Sequence, residues 1–172
     1  VELPGEIGSI PKNLIFLDCS DEQRVGQEVF SLIQDRNCSF NIDHHLSNDS
    51  FADFNYIDTS AAATAEIISE LLLLMPINIS AAMADTLLAG IIMDTGCFLN
   101  ANTTAKTLRI AAELINLGAS VNLARISLFE SKSRKEVLIL QQALQHLDFS
   151  ADGRIAWMSL PYNELVAIEA ED

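Results

Sequence analysis

The sequence has 172 residues, of which 49% are hydrophobic, and its formal net charge is −14. This apolar content suffices for a sizeable core and excludes a largely disordered chain. The densest apolar run, residues 87–93, is far shorter than the roughly 18 residues of a membrane span, so we expect a soluble, cytoplasmic protein without a membrane partner. The negative charge argues against a basic nucleic-acid-binding surface. It does not exclude a nucleotide substrate, because bound divalent cations reverse the local potential.

The first third of the chain predicts a βαβ unit. Leu14–Leu17 and Ser39–Ile42 read as short strands, and each is followed directly by an acidic residue, Asp18 and Asp43. Between them, residues 24–36 carry apolar side chains at helical spacing. A helical crossover joins parallel strands, and ligands of open α/β sheets bind outside the carboxyl ends of such strands. Both aspartates are therefore predicted at the ligand-binding edge of the sheet.

The rest of the chain is predicted to be mostly helical. A third strand over 55–58 precedes predicted helices at 61–75, 81–93, 104–118, 121–130 and 132–147. Asp152-Gly153 is a turn signal, and residues 155–160 read as a strand without a partner nearby in sequence, which either begins a further domain or joins a sheet edge. The predicted class is α/β, with a parallel sheet followed by a helical second half.

The candidate chemistry lies in Asp43, His44 and His45, which contain two of the three histidines in the chain. Carboxylate and imidazole together suit Mn²⁺, Zn²⁺ or Fe²⁺, and an excess of carboxylate favours Mn²⁺ or Mg²⁺. Asp94 is predicted at the C-terminal end of a helix, where the macrodipole is negative and a cation would relieve the repulsion. Asp18 arrives at the same edge. The pattern indicates a metal site.

Structural interpretations of the same residues stay open. Asp18 could cap a turn, and Asp94 could simply end its helix. A zinc site that uses Cys19, Cys97 and His44 is conceivable, but no Cys-x-x-Cys pair is present to anchor it, so packing roles for the cysteines are favoured.

Three further polar residues have ordinary explanations. Thr64 and Glu66 could face the site, although the first turn of a helix explains them equally well. His146 lies among glutamines and is interpreted as a surface residue.

Five ordered segments form a recognisable set of motifs: Phe16–Arg24, Asn41–His45, Ala63–Glu66, Gly90–Phe98 and Asn102–Thr104. They resemble the DHH phosphoesterase family, in particular its oligoribonuclease and pAp phosphatase (nano-RNase, exopolyphosphatase-related) branch. The resemblance covers nearly the whole chain.

The resemblance implies a Rossmann-like three-layer core and two bound Mn²⁺ ions. By position, Asp18, His44 and Asp94 match metal ligands, whereas Asp43 and His45 match catalytic residues that orient the ligands or face the scissile phosphate. The implied reaction is in-line attack of metal-activated hydroxide on a short oligonucleotide or on a nucleotide phosphate such as pAp. Sibling activities, a cyclic-dinucleotide phosphodiesterase or a pyrophosphatase, use the same metals.

The sequence departs from the family at both ends. A His-x-x-x-Asp-x-Asp motif that supplies further metal ligands is absent, and so is a Gly-rich, His-containing motif of the C-terminal substrate-binding domain. We therefore expect residues 1–150 to form a DHH domain without its first motif, and 151–172 to be a linker and the start of a truncated second domain. A catalytically incomplete binding module is the alternative. The helix predicted at 132–147 could offer an apolar face to a second copy in a homodimer, but core packing is favoured.

Overall fold

A computed structural model describes residues 11–169. The chain divides into two compact units, which meet in sequence at Arg125 and Ile126. The first unit holds a parallel sheet and the helices that follow it. The second unit holds two helices and a small antiparallel sheet.

The sheet of the first unit has three parallel strands, β1 (Asn13–Leu17), β2 (Cys38–Asp43) and β3 (Phe54–Ile57), in the order β1-β2-β3. In the register of the first pair, Leu17 lies opposite Ile42. The residues that follow the two strands therefore emerge at one edge of the sheet. The predicted α/β class and the parallel pairing are confirmed.

The connection from β1 to β2 is not the continuous helix predicted at 24–36. It consists of a 3-10 turn, Glu22–Val25, and a short helix, α1 (Gln27–Leu32), separated by Gly26. Gly26 has φ +85, in the left-handed region that side chains rarely adopt. The Asp21 side chain caps the turn by accepting a 2.9 Å hydrogen bond from the backbone N–H of Gln23. The prediction was wrong because it used apolar spacing alone. Gly26, which ends the 3-10 turn and starts α1, does not change that spacing.

The helices of the first unit are α2 (Thr64–Leu74), α3 (Ala81–Asp94), α4 (Ala105–Asn116) and α5 (Val121–Arg125). The Ser80 side chain caps α3, and Thr104 caps α4 in a reciprocal pair with Thr107. Between these caps, α3 presents Leu88, Ile91 and Ile92 to the core. Burial of this face holds the helix against α2 and fixes where its last residue, Asp94, projects.

The structure differs from two predictions for residues 121–160. The helix predicted at 121–130 is interrupted, since α5 ends at Arg125 and Ile126–Glu130 is a π-helical segment. After α6 (Arg134–Gln145), residues Leu147–Phe149 form β4, which pairs antiparallel with β5 (Ala156–Met158) before α7 (Tyr162–Glu169). The predicted strand thus has a partner close in sequence, and the expectation that it lacked one was wrong.

The cause of this pairing is the turn between β4 and β5. Gly153 has φ +68 and lies in the turn that reverses the chain. Leu147, which was predicted in the apolar stripe of the last helix, therefore lies in β4.

His146 follows the last residue of α6 and is half-buried, with its Nε2 2.8 Å from Glu164 Oε2. Among residues 11–169, no helix combines the length and apolar character that crossing a membrane requires. The domain boundary near residue 150 and the homodimer stay predictions.

Candidate metal centre

The carboxyl edge of the sheet brings the sequence-predicted residues together. Asp43 is the last residue of β2, and His44 and His45 follow it. Asp18 follows β1, and its backbone N–H donates a 3.1 Å hydrogen bond to the carbonyl of Ile42, which extends the ladder by one residue. Asp18 has φ +61, a conformation that a non-glycine residue adopts infrequently and that turns the chain at this edge.

The potential ligand atoms of Asp18, Asp43, His44 and His45 all lie within 4.8 Å of one another. Asp94, the last residue of α3, is not one of these four but lies close to His44. His44 Nε2 lies 3.6 Å from Asp18 Oδ1 and 3.7 Å from Asp94 Oδ2. Two ligand atoms at about 2.1 Å from one ion are roughly 3.0 Å apart at a right angle and farther apart at wider angles. The spacing therefore fits a shared cation.

The tautomer of His44 follows from its other ring nitrogen. His44 Nδ1 is 3.3 Å from the carbonyl oxygen of Ala61, which can only accept a hydrogen bond. In the neutral ring the Nδ1–H is then the donor, and Nε2 carries a lone pair toward Asp18 and Asp94. A backbone carbonyl behind a metal-binding histidine is the arrangement typical of metal sites, since it sets both tautomer and ring orientation.

Asp43 is fully buried and is the centre of a hydrogen-bond network. It accepts hydrogen bonds from the backbone N–H of His44 at 2.8 Å, from His45 Nδ1 at 2.7 Å and from Asn48 Nδ2 at 2.6 Å. Burial by itself would raise the pKa of Asp43, but these donors outweigh burial and hold the pKa below its usual range. Asp43 is therefore a carboxylate at neutral pH, and it orients His45.

For Asp94, the effects that raise the pKa outweigh those that lower it. Burial raises its pKa, the Asp18 carboxylate raises it further, and His44 and His45 offset only part of the rise. The Asp18 carboxylate therefore disfavours ionisation of Asp94. A divalent cation held by both carboxylates would offset this repulsion.

The donor set tests which metal the site suits. The residues offer carboxylate oxygens and imidazole nitrogens, which fit Mn²⁺ and related divalent ions. Among the described residues, the cluster includes no cysteine sulfur. Burial raises the pKa of the Cys19 thiol, and the nearby Asp18 carboxylate raises it further.

Three further polar side chains contact the site: Thr64, for which the sequence left two interpretations open, and Asn48 and Asn102, which the sequence did not single out as site residues. The Thr64 hydroxyl donates a 2.7 Å hydrogen bond to Asp18 Oδ1. Asn48 Nδ2 bonds the Cys19 carbonyl at 3.0 Å as well as Asp43. Asn102 Nδ2 lies 3.0 Å from the Ala62 carbonyl and 3.2 Å from that of Asp94. Thr64 and Asn102 stand in motifs that the sequence analysis singled out, whereas Asn48 is marked only by its place in the polar loop after β2.

Comparisons with known proteins identify the family and the fold. The family model described as the DHH family, N-terminal domain, matches residues 5–91. The chain is 33% identical over 161 residues to the bifunctional oligoribonuclease and PAP phosphatase NrnA of Thermus thermophilus, a match that covers 92% of this chain and 47% of that protein. It is 40% identical over 94 residues to the protein of the same name from Bacillus subtilis, covering 53% and 30%.

A solved structure shares this fold. The crystal structure of an exopolyphosphatase-related protein from Bacteroides fragilis matches with a TM-score of 0.80 at 20% identity, over 92% of this chain and 47% of that one. This identity is too low to show more than the fold. The chain thus spans about half the length, or less, of the curated relatives described above. Since the family model covers half of the sequence, the chain belongs to the DHH family.

Proposed function

We propose that this domain is a metal-dependent phosphoesterase that hydrolyses short oligonucleotides or nucleotide phosphates such as pAp. The observation that carries the proposal is the place of His44 Nε2 between two carboxylate oxygens, at 3.6 Å from Asp18 and 3.7 Å from Asp94. Family membership supports the reaction class, and the names of the Thermus and Bacillus relatives support the substrates.

In this proposal Asp18, His44 and Asp94 hold the metal. Mn²⁺ is the ion that the mixture of carboxylate and imidazole favours, with Mg²⁺ or another divalent ion as the alternative. Divalent cations, two in the site that the family resemblance implies, would make water a stronger nucleophile and stabilise charge on the phosphate. The side chain of Asp18 is 52% exposed, so one side of the centre is open to a substrate.

Asp43 and His45 act beside the metal. His45 is one-third exposed, and its Nδ1 is bound to the ionised Asp43, which sets the ring orientation. When the ring is protonated, the remaining Nε2 can donate to a phosphate oxygen while Nδ1 donates to Asp43. This pairing suits a residue that binds the phosphate and moves a proton at its oxygen.

The first experiment measures Mn²⁺ binding to the purified chain by calorimetry. We expect Asp18→Asn to weaken Mn²⁺ binding by more than about 100-fold, beyond the roughly 10–100-fold typical of groups behind the ligands. Asp35→Asn is the matched control, because Asp35 precedes β2 at the opposite edge of the sheet and pairs with Lys12. Equal affinities for the chain and Asp18→Asn would contradict the proposal, as would the absence of any binding.

The second experiment separates the candidate activities. The chain is incubated with Mn²⁺ and pAp, a short oligoribonucleotide, a cyclic dinucleotide or pyrophosphate, and the products are identified. Turnover of the first two supports the proposal, and turnover of a cyclic dinucleotide or pyrophosphate alone supports a sibling activity. Mn²⁺ binding without turnover of any substrate supports a catalytically incomplete module.

A further inference from the structure

Glu66 is a buried carboxylate outside the set of predicted ligands. It lies in the first turn of α2 and its side chain has no exposure to solvent. One oxygen, Oε2, accepts a 2.7 Å hydrogen bond from the Thr107 hydroxyl on α4 and a 3.2 Å bond from the backbone N–H of Ala62. The other oxygen, Oε1, accepts no hydrogen bond within residues 11–169 and faces Lys106 Nζ at 3.5 Å.

A carboxylate in such a place is costly. Removing an acidic group from water is unfavourable unless partners replace the lost hydration, and a buried ion pair often does no better than apolar residues of similar size. Packing of α2 against α4 does not by itself require a carboxylate at position 66. The bond to Ala62 is a first-turn contact of α2, and it also ties the carboxylate to the segment that precedes the helix.

The segment that contains Ala62 carries two contacts to the metal centre. On one side of Ala62, the Ala61 carbonyl lies 3.3 Å from His44 Nδ1. On the other side, the Thr64 hydroxyl donates to Asp18. Ala62 is completely buried between them. Any shift of this segment would therefore disturb two of the candidate ligands together.

Both backbone groups of Ala62 are held by side chains from elsewhere. Glu66 accepts from its N–H, and Asn102 Nδ2 donates to its carbonyl at 3.0 Å. Asn102 also donates to the carbonyl of Asp94. The segment is thus fixed relative to the third candidate ligand as well as to α2 and α4.

We propose that Glu66, held by Thr107 and Lys106, is a positioning residue that fixes the Ala61–Thr64 segment and thereby sets the His44 tautomer and the place of Asp18. This inference rests on the proposed metal-dependent function, but it concerns a residue that touches neither metal nor substrate. A purely structural role for Glu66 would affect the stability of the fold and leave the His44 ring unchanged.

The test compares Glu66→Ala with Glu66→Gln. An alanine removes the acceptor for both Ala62 and Thr107. A glutamine keeps one oxygen that can accept from both, and it loses only the charge opposite Lys106. Glu70→Gln is the matched control, since Glu70 Oε2 lies 2.6 Å from the same Lys106 Nζ. Within residues 11–169, no side-chain hydrogen bond or ion pair joins Glu70 to the Ala61–Thr64 segment.

The first readout is the nitrogen NMR spectrum of the histidine rings in metal-free protein at alkaline pH. We expect the Nδ1–H form of His44 in the unmodified chain, in Glu66→Gln and in Glu70→Gln. We expect Glu66→Ala to shift His44 toward the Nε2–H form that free imidazole side chains favour in water. The second readout is Mn²⁺ affinity, which Glu66→Ala should lower by about 10-fold, the lower end of the range for groups behind metal ligands.

A lower melting temperature of Glu66→Ala with an unchanged His44 tautomer and unchanged Mn²⁺ affinity would overturn the inference. If Glu66→Ala does not fold, Thr107→Val removes one of the two hydrogen bonds to the carboxylate while keeping the side-chain shape. An unchanged tautomer in that variant would overturn the inference equally. If the unmodified chain binds no Mn²⁺, the proposed function fails, whereas the tautomer comparison still decides the positioning role.

Discussion

The hydroxyl of Thr64 holds the carboxylate of Asp18, a residue forty-six positions earlier in the chain, through a 2.7 Å hydrogen bond. Thr64 is buried as the first residue of α2, and Asp18 is exposed just beyond β1. The start of a helix therefore fixes a side chain at the end of a strand. Without this bond, the exposed carboxylate would be free to change rotamer.

Thr64→Val tests this relationship. Valine keeps the shape of the side chain but cannot donate to Asp18, so we expect Mn²⁺ affinity to fall by about 10-fold. The free energy of unfolding should fall by only about 1 kcal/mol, the usual net value of one hydrogen bond. Calorimetric titration with Mn²⁺ measures the first effect. Thr86→Val is the control, because the Thr86 hydroxyl bonds the carbonyl of Ala82 within α3, and equal losses in both variants would contradict the prediction.

We expect Asp94→Asn to have opposite effects on the stability of the metal-free protein and on Mn²⁺ binding. The folded-state pKa of Asp94 is raised by burial and by Asp18, so the folded protein binds this proton more tightly than the unfolded chain does. Asp94 therefore lowers the stability of the metal-free protein once the pH exceeds its unfolded-state pKa, and the loss is complete above the raised folded-state pKa. We expect the neutral asparagine to raise the metal-free melting temperature, by no more than about 2–4 °C for roughly 1 kcal/mol. The same change should weaken Mn²⁺ binding, and thermal melts with and without Mn²⁺ check both effects.

The prediction for Asp94 also has a pH dependence. Because Mn²⁺ must displace the proton, its affinity should decline on acidification from a higher pH than an ordinary aspartate would give. Asp94→Asn should remove this part of the pH dependence. An asparagine variant that is less stable than the parent without metal would contradict the electrostatic explanation.

Asn48→Ala probes the network around Asp43. The Asn48 amide helps to keep the folded-state pKa of Asp43 low, which contributes stability above the unfolded-state pKa that is lost as the pH falls through the folded value. Removing the amide should destabilise the protein at neutral pH by about 1.5–3 kcal/mol, the range for a hydrogen bond to a charged group. It should also move acid unfolding to higher pH. Circular dichroism over an acid titration measures this, with the exposed Asn78→Ala as the control, and coincident curves would contradict the prediction.

Gly90→Ala tests the packing that places α3. In an open helix this change stabilises by roughly 1 kcal/mol, but here the new Cβ would lie 2.8 Å from the Cβ of Ala65 on α2. We expect a loss of about 1–3 kcal/mol in the free energy of unfolding, typical of overpacking. The double variant Gly90→Ala with Ala65→Gly should recover most of the loss in chemical denaturation. Stabilisation by Gly90→Ala alone would contradict the close approach of the helices.

Much of the fold was predictable from local features. The short apolar runs before Asp18 and Asp43 predicted strands, and β1 and β2 lie there. Ser80 and Thr104 mark helix starts because their hydroxyls accept from orphan backbone N–H groups. The motifs indicated the DHH family, which the family model confirms.

Other features depend on local backbone conformations that leave no periodic signal in the sequence. The break at Gly26 and the β4–β5 hairpin follow from backbone conformations that apolar spacing does not record. The interruption after Arg125 likewise departs from the helical spacing of its residues.

The sequence by itself determined which residue types stand at the edge of the sheet, because strand ends and helix caps are local. The tertiary structure decided how those residues are held. The Ala61 carbonyl selects the His44 tautomer, Thr64 orients Asp18, and Glu66 is bound to Thr107, forty-one residues away. These are short-range, directional hydrogen bonds between distant parts of the chain, so only folding brings their partners within reach.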